Sequence, residues 1–219
     1  MSLLKCRGFL FDMDGVLVDS RAVVDRTWRR WAVRHGMDPD PIIAVAHGRR
    51  TGDTLRDIAP HLDIAAEVKW LDEAERDDME GVVAMPGAVA ILTHLPGVSW
   101  AVVTSCGDAL ARARLEAAGL PIPRVLIASE RIERGKPFPD GYLAGARGLH
   151  IPPDNCIVFE DTPPGIEAGV AAGAQVVGLA TTYGADRLTA AARVVRDLSE
   201  VHVGRGGGAA AGDFHVLLG

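Results

Sequence analysis

The stretch FLFDMDGVLVDS, residues 9–20, decides the reading of this chain. A short apolar run ends in two carboxylates one residue apart, Asp12 and Asp14. Gly15, further apolar residues and Asp19 follow. Residues i and i+2 of a strand share a face, so Asp12 and Asp14 would be held near each other where the strand ends. Two like charges that close are costly unless a cation, a shared proton or a separate partner relieves them. The pattern predicts a buried strand over GFLF (8–11) with acidic chemistry at its end.

Outward from that strand the chain changes character twice. From 18 to about 83 the pattern is helical, with Val24, Trp28, Trp31, Ala32 and His35 on one helical face and Gly36 as a stop. EVKWLDEAERDDME (67–80) reads as a second amphipathic helix, and the segment shows no convincing strand. After MPG (85–87) strands and helices alternate. SWAVVT (99–104), RVLIAS (124–129), CIVF (156–159) and QVVGLA (175–180) read as short buried strands. Helices are expected over 87–95, 107–118, 139–147 and 163–172. Strands separated by helices of that length imply right-handed crossovers and a parallel sheet. The expected fold is an α/β, Rossmann-like core formed by 1–16 and 84–219, with an inserted all-helical cap over 17–83. RVVRDLSEVHV (193–203) reads as a last strand followed by a short helix or strand. GRGGGAAAG (204–212) has the composition of a flexible stretch, and DFHVLLG (213–219) reads as an edge strand or a disordered tail.

Composition narrows the function. At 219 residues, with 48% hydrophobic and 24% charged residues, the chain is an ordinary globular protein able to bury a core. A net charge of -6 argues against nucleic acid or an anionic membrane as the main partner. Cys6, Cys106 and Cys156 are scattered and have no C-x-x-C spacing, which reads as reduced thiols without a zinc site or disulfide framework. No apolar run approaches the roughly 18 residues that cross a bilayer, and the first residues lack a signal-peptide layout. A soluble cytoplasmic protein, monomeric by preference, is expected.

Ligands of open α/β sheets bind beyond the carboxyl ends of the strands. Asp12 and Asp14 follow the first predicted strand, Thr104 and Ser105 follow WAVV, and Glu160 and Asp161 follow IVF. Lys136 lies in ERGKP, after the strand near 125. Carboxylate and carbonyl oxygens are hard ligands suited to Mg²⁺, which also favours phosphate oxygens. The two hydroxyls can donate to a phosphate and Lys136 supplies positive charge. Backbone N–H groups around Met13 to Gly15 can add an anion nest. A phosphoryl group suits this set.

FDMDGVLVDS, VVTS, GKPFPDGY and EDTPPGIEAG resemble, in order, the four motifs of the haloacid dehalogenase (HAD) superfamily, in the branch with a helical cap after the first motif. The match runs from about residue 8 to 180. The resemblance implies Asp12 as a nucleophile forming an aspartyl-phosphate, and Asp14 as general acid and then base. It makes Asp14 a ligand of Mg²⁺ through its backbone carbonyl, together with Asp12, Asp161 and Glu160, the last directly or through water. It gives Thr104, Ser105 and Lys136 the transferring phosphoryl group. Dehalogenases in the narrow sense lack the second Asp of the first motif and need no metal, so phosphoryl chemistry is favoured.

In this family the cap chooses the substrate and closes over it. The candidate cap loop is HGRRTGDT (47–54), from which His47, Arg49 and Arg50 are expected to reach substrate, although two adjacent arginines cannot both point inward. The cap resembles that of bacterial sugar and polyol phosphatases, which implies a small phosphorylated metabolite as substrate. A phosphosugar mutase of the β-phosphoglucomutase type is the rival; it carries a cap-side His four residues beyond a Thr, where this chain has Ser20 and Val24. A HAD-fold binding or regulatory module without turnover is the reading from another class.

Overall fold

A computed structural model describes residues 2–205 and 213–219 of the chain. The strands and helices, in chain order, begin with β1 (Ser2–Cys6), β2 (Gly8–Phe11) and β3 (Val18–Asp19). The helices α1 (Arg21–Arg34), α2 (Pro39–Ala46), α3 (Thr51–Ile58) and α4 (Ile64–Arg76) follow without interruption by strand. Next come β4 (Val83–Ala84), α5 (Ala88–His94), β5 (Trp100–Val103), α6 (Asp108–Ala117) and β6 (Leu126–Ile127). The chain continues through α7 (Asp140–Leu149), β7 (Cys156–Glu160), α8 (Pro163–Ala171) and β8 (Gln175–Leu179). It ends in β9 (Arg193–Val195), β10 (Val201–Arg205) and β11 (Phe214–Leu218).

The main sheet is parallel throughout, in the order β6-β5-β2-β7-β8-β9. Its strands read as continuous apolar runs because both faces are covered. Alternation along them divides the core in two. Phe9, Phe11, Trp100, Val102, Ile157 and Phe159 point to one side, whereas Leu10, Ala101, Val103, Cys156 and Val158 point to the other. Phe11 stacks on Phe159 with ring centroids 5.1 Å apart and meets Trp100 edge-on. Burial of each such ring contributes on the order of 1.5–3 kcal/mol. The strand order reverses beside β2: the chain runs from β2 to β5 and β6 on one flank, then crosses to β7, β8 and β9 on the other. That switch opens a crevice at the carboxyl end of β2.

The helical segment α1–α4 leaves and re-enters through the short antiparallel pair β3·β4, where Val18 faces Ala84 and Asp19 faces Val83. This pair is the one strand feature in a region read as purely helical. The four helices bury a core of their own, built on Trp28, Trp31, Ile42, Leu55 and Leu71. The indole N–H of Trp31 donates to Glu67 Oε2 at 2.8 Å, so a polar group inside this core is satisfied. Asp38, with Pro39 at the first helical position, caps α2, and Asp63 caps α4. The second amphipathic helix starts at Ile64, three residues before its charged run, because Asp63 caps it there.

The tail differs from expectation. Residues 214–218 are neither an edge strand nor loose: β11 is the middle strand of a second, antiparallel sheet, β1-β11-β10. Phe214, Val216 and Leu218 are buried against the main sheet, and Phe214 packs edge-on to Phe9 at 5.1 Å. Their hydrophobic burial holds the C-terminus down. The first residues, which gave no strand in the sequence, form β1. Of the Gly/Ala-rich stretch, Gly204 and Arg205 complete β10 and residues 206–212 lie outside the described residues. Among the described residues no helix is long and apolar enough to cross a membrane.

Candidate active site

The carboxyl ends of β2, β5 and β7 bring together the residues that follow them. Asp12 N–H donates to Phe159 O at 3.0 Å and Thr104 N–H to Ile127 O at 2.9 Å, so both residues extend the sheet ladder by one step. Glu160 is the last residue of β7, and Asp161 begins the turn into α8. That turn is closed by Thr162, whose Oγ1 accepts from Gly165 N–H, with Pro163 at the first helical position. Lys136 arrives from the loop between β6 and α7.

Asp12, Glu160 and Asp161 are all buried, and one carboxylate oxygen from each lies within 4.8 Å of the others. Lys136 is buried with them. Its Nζ donates to Asp12 Oδ1 at 2.6 Å and also to Glu160 Oε1. One ammonium among three carboxylates leaves the cluster short of positive charge. Burial pushes the Asp12 carboxyl up to about 7, with Lys136 opposing the rise and Glu160 adding to it. Burial, then Glu160 and Asp12, hold Asp161 well above the usual carboxylate range. Burial disfavours the Lys136 cation, but Asp12 and Glu160 outweigh it and keep its proton more firmly bound than usual.

Asp161 Oδ1 is buried without a hydrogen-bond partner. An orphaned carboxylate oxygen inside an undercompensated acidic cluster is what a hard divalent cation would satisfy, so the residues present fit one. Glu160 is the exception. Its Oε2 accepts from Asp161 N–H (2.8 Å), Thr162 N–H (2.9 Å) and Thr162 Oγ1 (3.0 Å), while Oε1 takes Lys136 and Tyr142 Oη (3.0 Å). A carboxylate offers about four lone-pair sites, and these are spent on bracing the loop.

The Asp14 side chain points elsewhere. Its Oδ1 accepts from Ser20 Oγ at 2.6 Å and from Arg114 Nη1 at 2.8 Å. This separate partner answers the opening puzzle: the two carboxylates one residue apart are neutralised by different cations. Directly after Asp14 the chain turns sharply at Gly15, where φ is +84°. A Cβ there would overlap Asp161 Oδ2 and stand 2.8 Å from Thr182 Oγ1. Both the left-handed backbone and the close approach require glycine.

Asp12, Asp14, Thr104 and Ser105 face one cavity together with His47, Arg49, Thr51, Trp28 and Val24 from the helical segment. Ser105 Oγ donates to Gly48 O at 3.1 Å, and a Cβ on Gly48 would lie 2.7 Å from Thr162 Cγ2, so the cap loop rests on the sheet side of the site. His47 Nε2 pairs with Asp25 Oδ1 at 3.1 Å, and Arg49 Nη2 donates to Asp57 Oδ2 at 2.6 Å. Arg50 departs from expectation. It does not line this cavity; its guanidinium donates to the carbonyls of Glu133 (3.0 Å) and Ser129 (3.4 Å), across the cleft. Its neighbour Arg49 lines the cavity instead.

Sequence reasoning missed Arg114 and Glu75, which line the same cavity. Arg114 sits on the buried face of α6 between Ala111 and Leu115. A cation at the position where the helical period calls for an apolar residue was the available signal.

The family model for the haloacid dehalogenase-like hydrolases matches residues 6–173. This chain belongs to that family. It is an enzyme of the hydrolase class. It is 43% identical to hexitol phosphatase A of Escherichia coli K12, over 91% of this chain and 95% of that protein. It is 35% identical to glycerol-1-phosphate phosphohydrolase 2 of Saccharomyces cerevisiae, over 84% of this chain and 79% of that protein. Among solved structures, a hydrolase from Pseudomonas syringae superposes with a TM-score of 0.79 at 28% identity, covering 88% of this chain and 94% of that one. The Rossmann-like HAD core with a helical insertion is the fold of this family.

Proposed function

We propose that this HAD hydrolase is a Mg²⁺-dependent phosphomonoesterase acting on small sugar or polyol phosphates in the cytoplasm. The observation that carries the reading is the buried set Asp12, Asp161 and Lys136 at one strand-end rim, with Asp14 held apart from it on its own cation. Asp12 and Asp161, with the Asp14 backbone carbonyl, would hold the ion, and Glu160 would act through water or as a brace. The ion would neutralise phosphate charge and reduce the mutual repulsion of the carboxylates.

The remaining steps belong to the chain's own residues. Asp12 attacks phosphorus and becomes an aspartyl-phosphate; the leaving oxygen takes a proton from Asp14. Asp14 then draws a proton from the water that attacks the phosphoenzyme. Thr104, Ser105 and Lys136 hold the phosphoryl oxygens. Residues 17–83 are the cap, from which His47 and Arg49 meet the substrate's hydroxyls. Support for the substrate class comes from the relatives named for hexitol and glycerol phosphates. The mutase reading is disfavoured because Val24, which lines the cavity, stands where the mutase carries its His.

The test is phosphate release from hexose, hexitol, 2-deoxyhexose, glycerol, glycolate and nucleotide phosphates, each with Mg²⁺ or with EDTA. Mg²⁺-dependent release from sugar or polyol phosphates supports the reading. Interconversion of hexose 1- and 6-phosphates with little release would hand the case to the mutase.

A further inference from the structure

Arg114 is buried on α6 with 3% of its surface exposed, 100 residues along the chain from Asp14. One arm of its guanidinium donates to Asp14 Oδ1, and the other, Nη2, to Glu75 Oε2. Glu75 lies on α4, in the helical insertion, and is itself buried. The pair therefore runs from the cap, through a core helix, to the second carboxylate of the opening motif. Arg114 Nε is buried with no partner. An orphaned donor costs about 1–3 kcal/mol, and a buried ion pair is seldom more stabilising than apolar residues of the same volume. Stability alone gives no reason to place a cation between Ala111 and Leu115.

The geometry supplies a reason. Ser20 and Arg114 both donate to Oδ1 of Asp14, and Oδ2 has no hydrogen-bond partner among the described residues. Two donors converging on one oxygen hold Oδ1 in place and leave Oδ2 as the oxygen free for proton transfer, in a residue that lines the cavity. The second arm of the Arg114 fork is anchored by a residue of the cap. We propose that Glu75 and Arg114 form a clamp, completed by the docked cap, that positions Asp14 to protonate the departing alcohol. Both are positioning residues, and the proposal rests on the phosphatase reading above. In the step concerned, the Asp12–phosphorus bond forms and the phosphorus–oxygen ester bond breaks. The Asp14 proton goes to the leaving oxygen, and the carboxylate left on Asp14 stays paired with Arg114. With α4 undocked, Arg114 loses its anchor and Asp14 its fixed orientation, so proton transfer is reserved for substrate enclosed by the cap.

Leaving groups of different basicity separate this role from a structural one. An alkoxide needs a proton to depart, whereas p-nitrophenolate leaves without one. The experiment measures kcat/KM, which reports events up to alcohol departure, for sorbitol 6-phosphate and p-nitrophenyl phosphate with Mg²⁺. The proteins compared are the wild type, Glu75→Gln, Arg114→Gln and Arg114→Lys. The clamp predicts that Glu75→Gln and Arg114→Gln lower kcat/KM for the alkyl ester by about 10²-fold or more, and for the aryl ester by less than about tenfold. Arg114→Lys, which keeps a donor, recovers part of the alkyl-ester loss. Equal losses on both esters, or none on the alkyl ester, would overturn the clamp. Aryl-ester turnover reports folding, and Glu75→Gln, nearly isosteric, carries the test should Arg114→Gln not fold. A wild-type chain inactive on the aryl ester and on every sugar and polyol phosphate of the panel above would instead overturn the phosphatase reading, and the clamp with it. A panel member that is turned over replaces sorbitol 6-phosphate as the alkyl ester if that one is not.

Discussion

Replacing Lys136 by methionine keeps much of the side chain's length and removes its charge. The ammonium is 2.6 Å from Asp12 Oδ1 and also contacts Glu160, with 7% of its side chain exposed and 5% and 0% for its partners. Removing one member of a buried ion pair costs roughly 3–5 kcal/mol, because the remaining charge is left uncompensated. For a chain of this size each kcal/mol moves the melting midpoint by about 2–4 °C. The midpoint in EDTA near neutral or mildly basic pH should therefore fall by about 6–20 °C.

The pH dependence has a definite sign. Burial already raises the Asp12 carboxyl to about 7 from an ordinary 3.8, and Lys136 is the group that opposes this. Loss of Lys136 raises it further. A carboxyl raised by folding favours the folded state below its unfolded value and loses that contribution as pH climbs through the folded value. The gap between variant and wild type should thus be small near pH 4 and widen towards about pH 8. Mg²⁺ supplies a replacement cation to the folded state and should narrow the gap again. Circular-dichroism melts at the two pH values, with Mg²⁺ and with EDTA, measure all of this. An unchanged midpoint at the higher pH in EDTA would refute the electrostatic argument.

Gly15→Ala should abolish phosphate release, since φ near +84° and the overlap with Asp161 Oδ2 displace the turn that follows Asp14; normal turnover would show that the turn adapts. Trp31→Phe removes the buried indole donor to Glu67 and should cost about 1–3 kcal/mol in urea unfolding. Asp72 is raised to about 6 by burial, with Glu130 pushing the same way. The wild type therefore loses stability as pH rises between about 4 and 6. Asp72→Asn should be more stable than wild type by about 1–3 kcal/mol near pH 8 and equal to it near pH 4. Urea midpoints at those pH values check this.

What the sequence disclosed follows from physical range. GFLF, WAVV, CIVFE and QVVGL are legible because strands covered on both faces must be continuously apolar, and the polar residues at their ends then mark the rim of the site. β1 is not, and the tail strand β11 reads as an edge strand or disorder rather than a central strand, because SLLKC and FHVLL pair across almost the whole chain with no turn between them. Short runs of that kind have no local signature of their own. The same limit hid the partner of Asp14. Arg114 meets it from α6 and is held in turn by Glu75 from α4; the place of Arg114 on the apolar face of its helix was a local signal, but what it pairs with is visible only in the fold. Arg50 shows the converse: its position in a polar cap loop suited substrate binding, but the carbonyls of Ser129 and Glu133 claim it.

The account stands on Asp12 as the group that takes up phosphorus. The most direct measurement is mass spectrometry of the protein quenched in acid during turnover of sorbitol 6-phosphate with Mg²⁺, followed by mapping of the modified peptide. The account predicts the mass of one phosphoryl group on the peptide containing Asp12, absent in Asp12→Asn and in EDTA. A phosphoryl group on another residue, or steady turnover by Asp12→Asn, would contradict it.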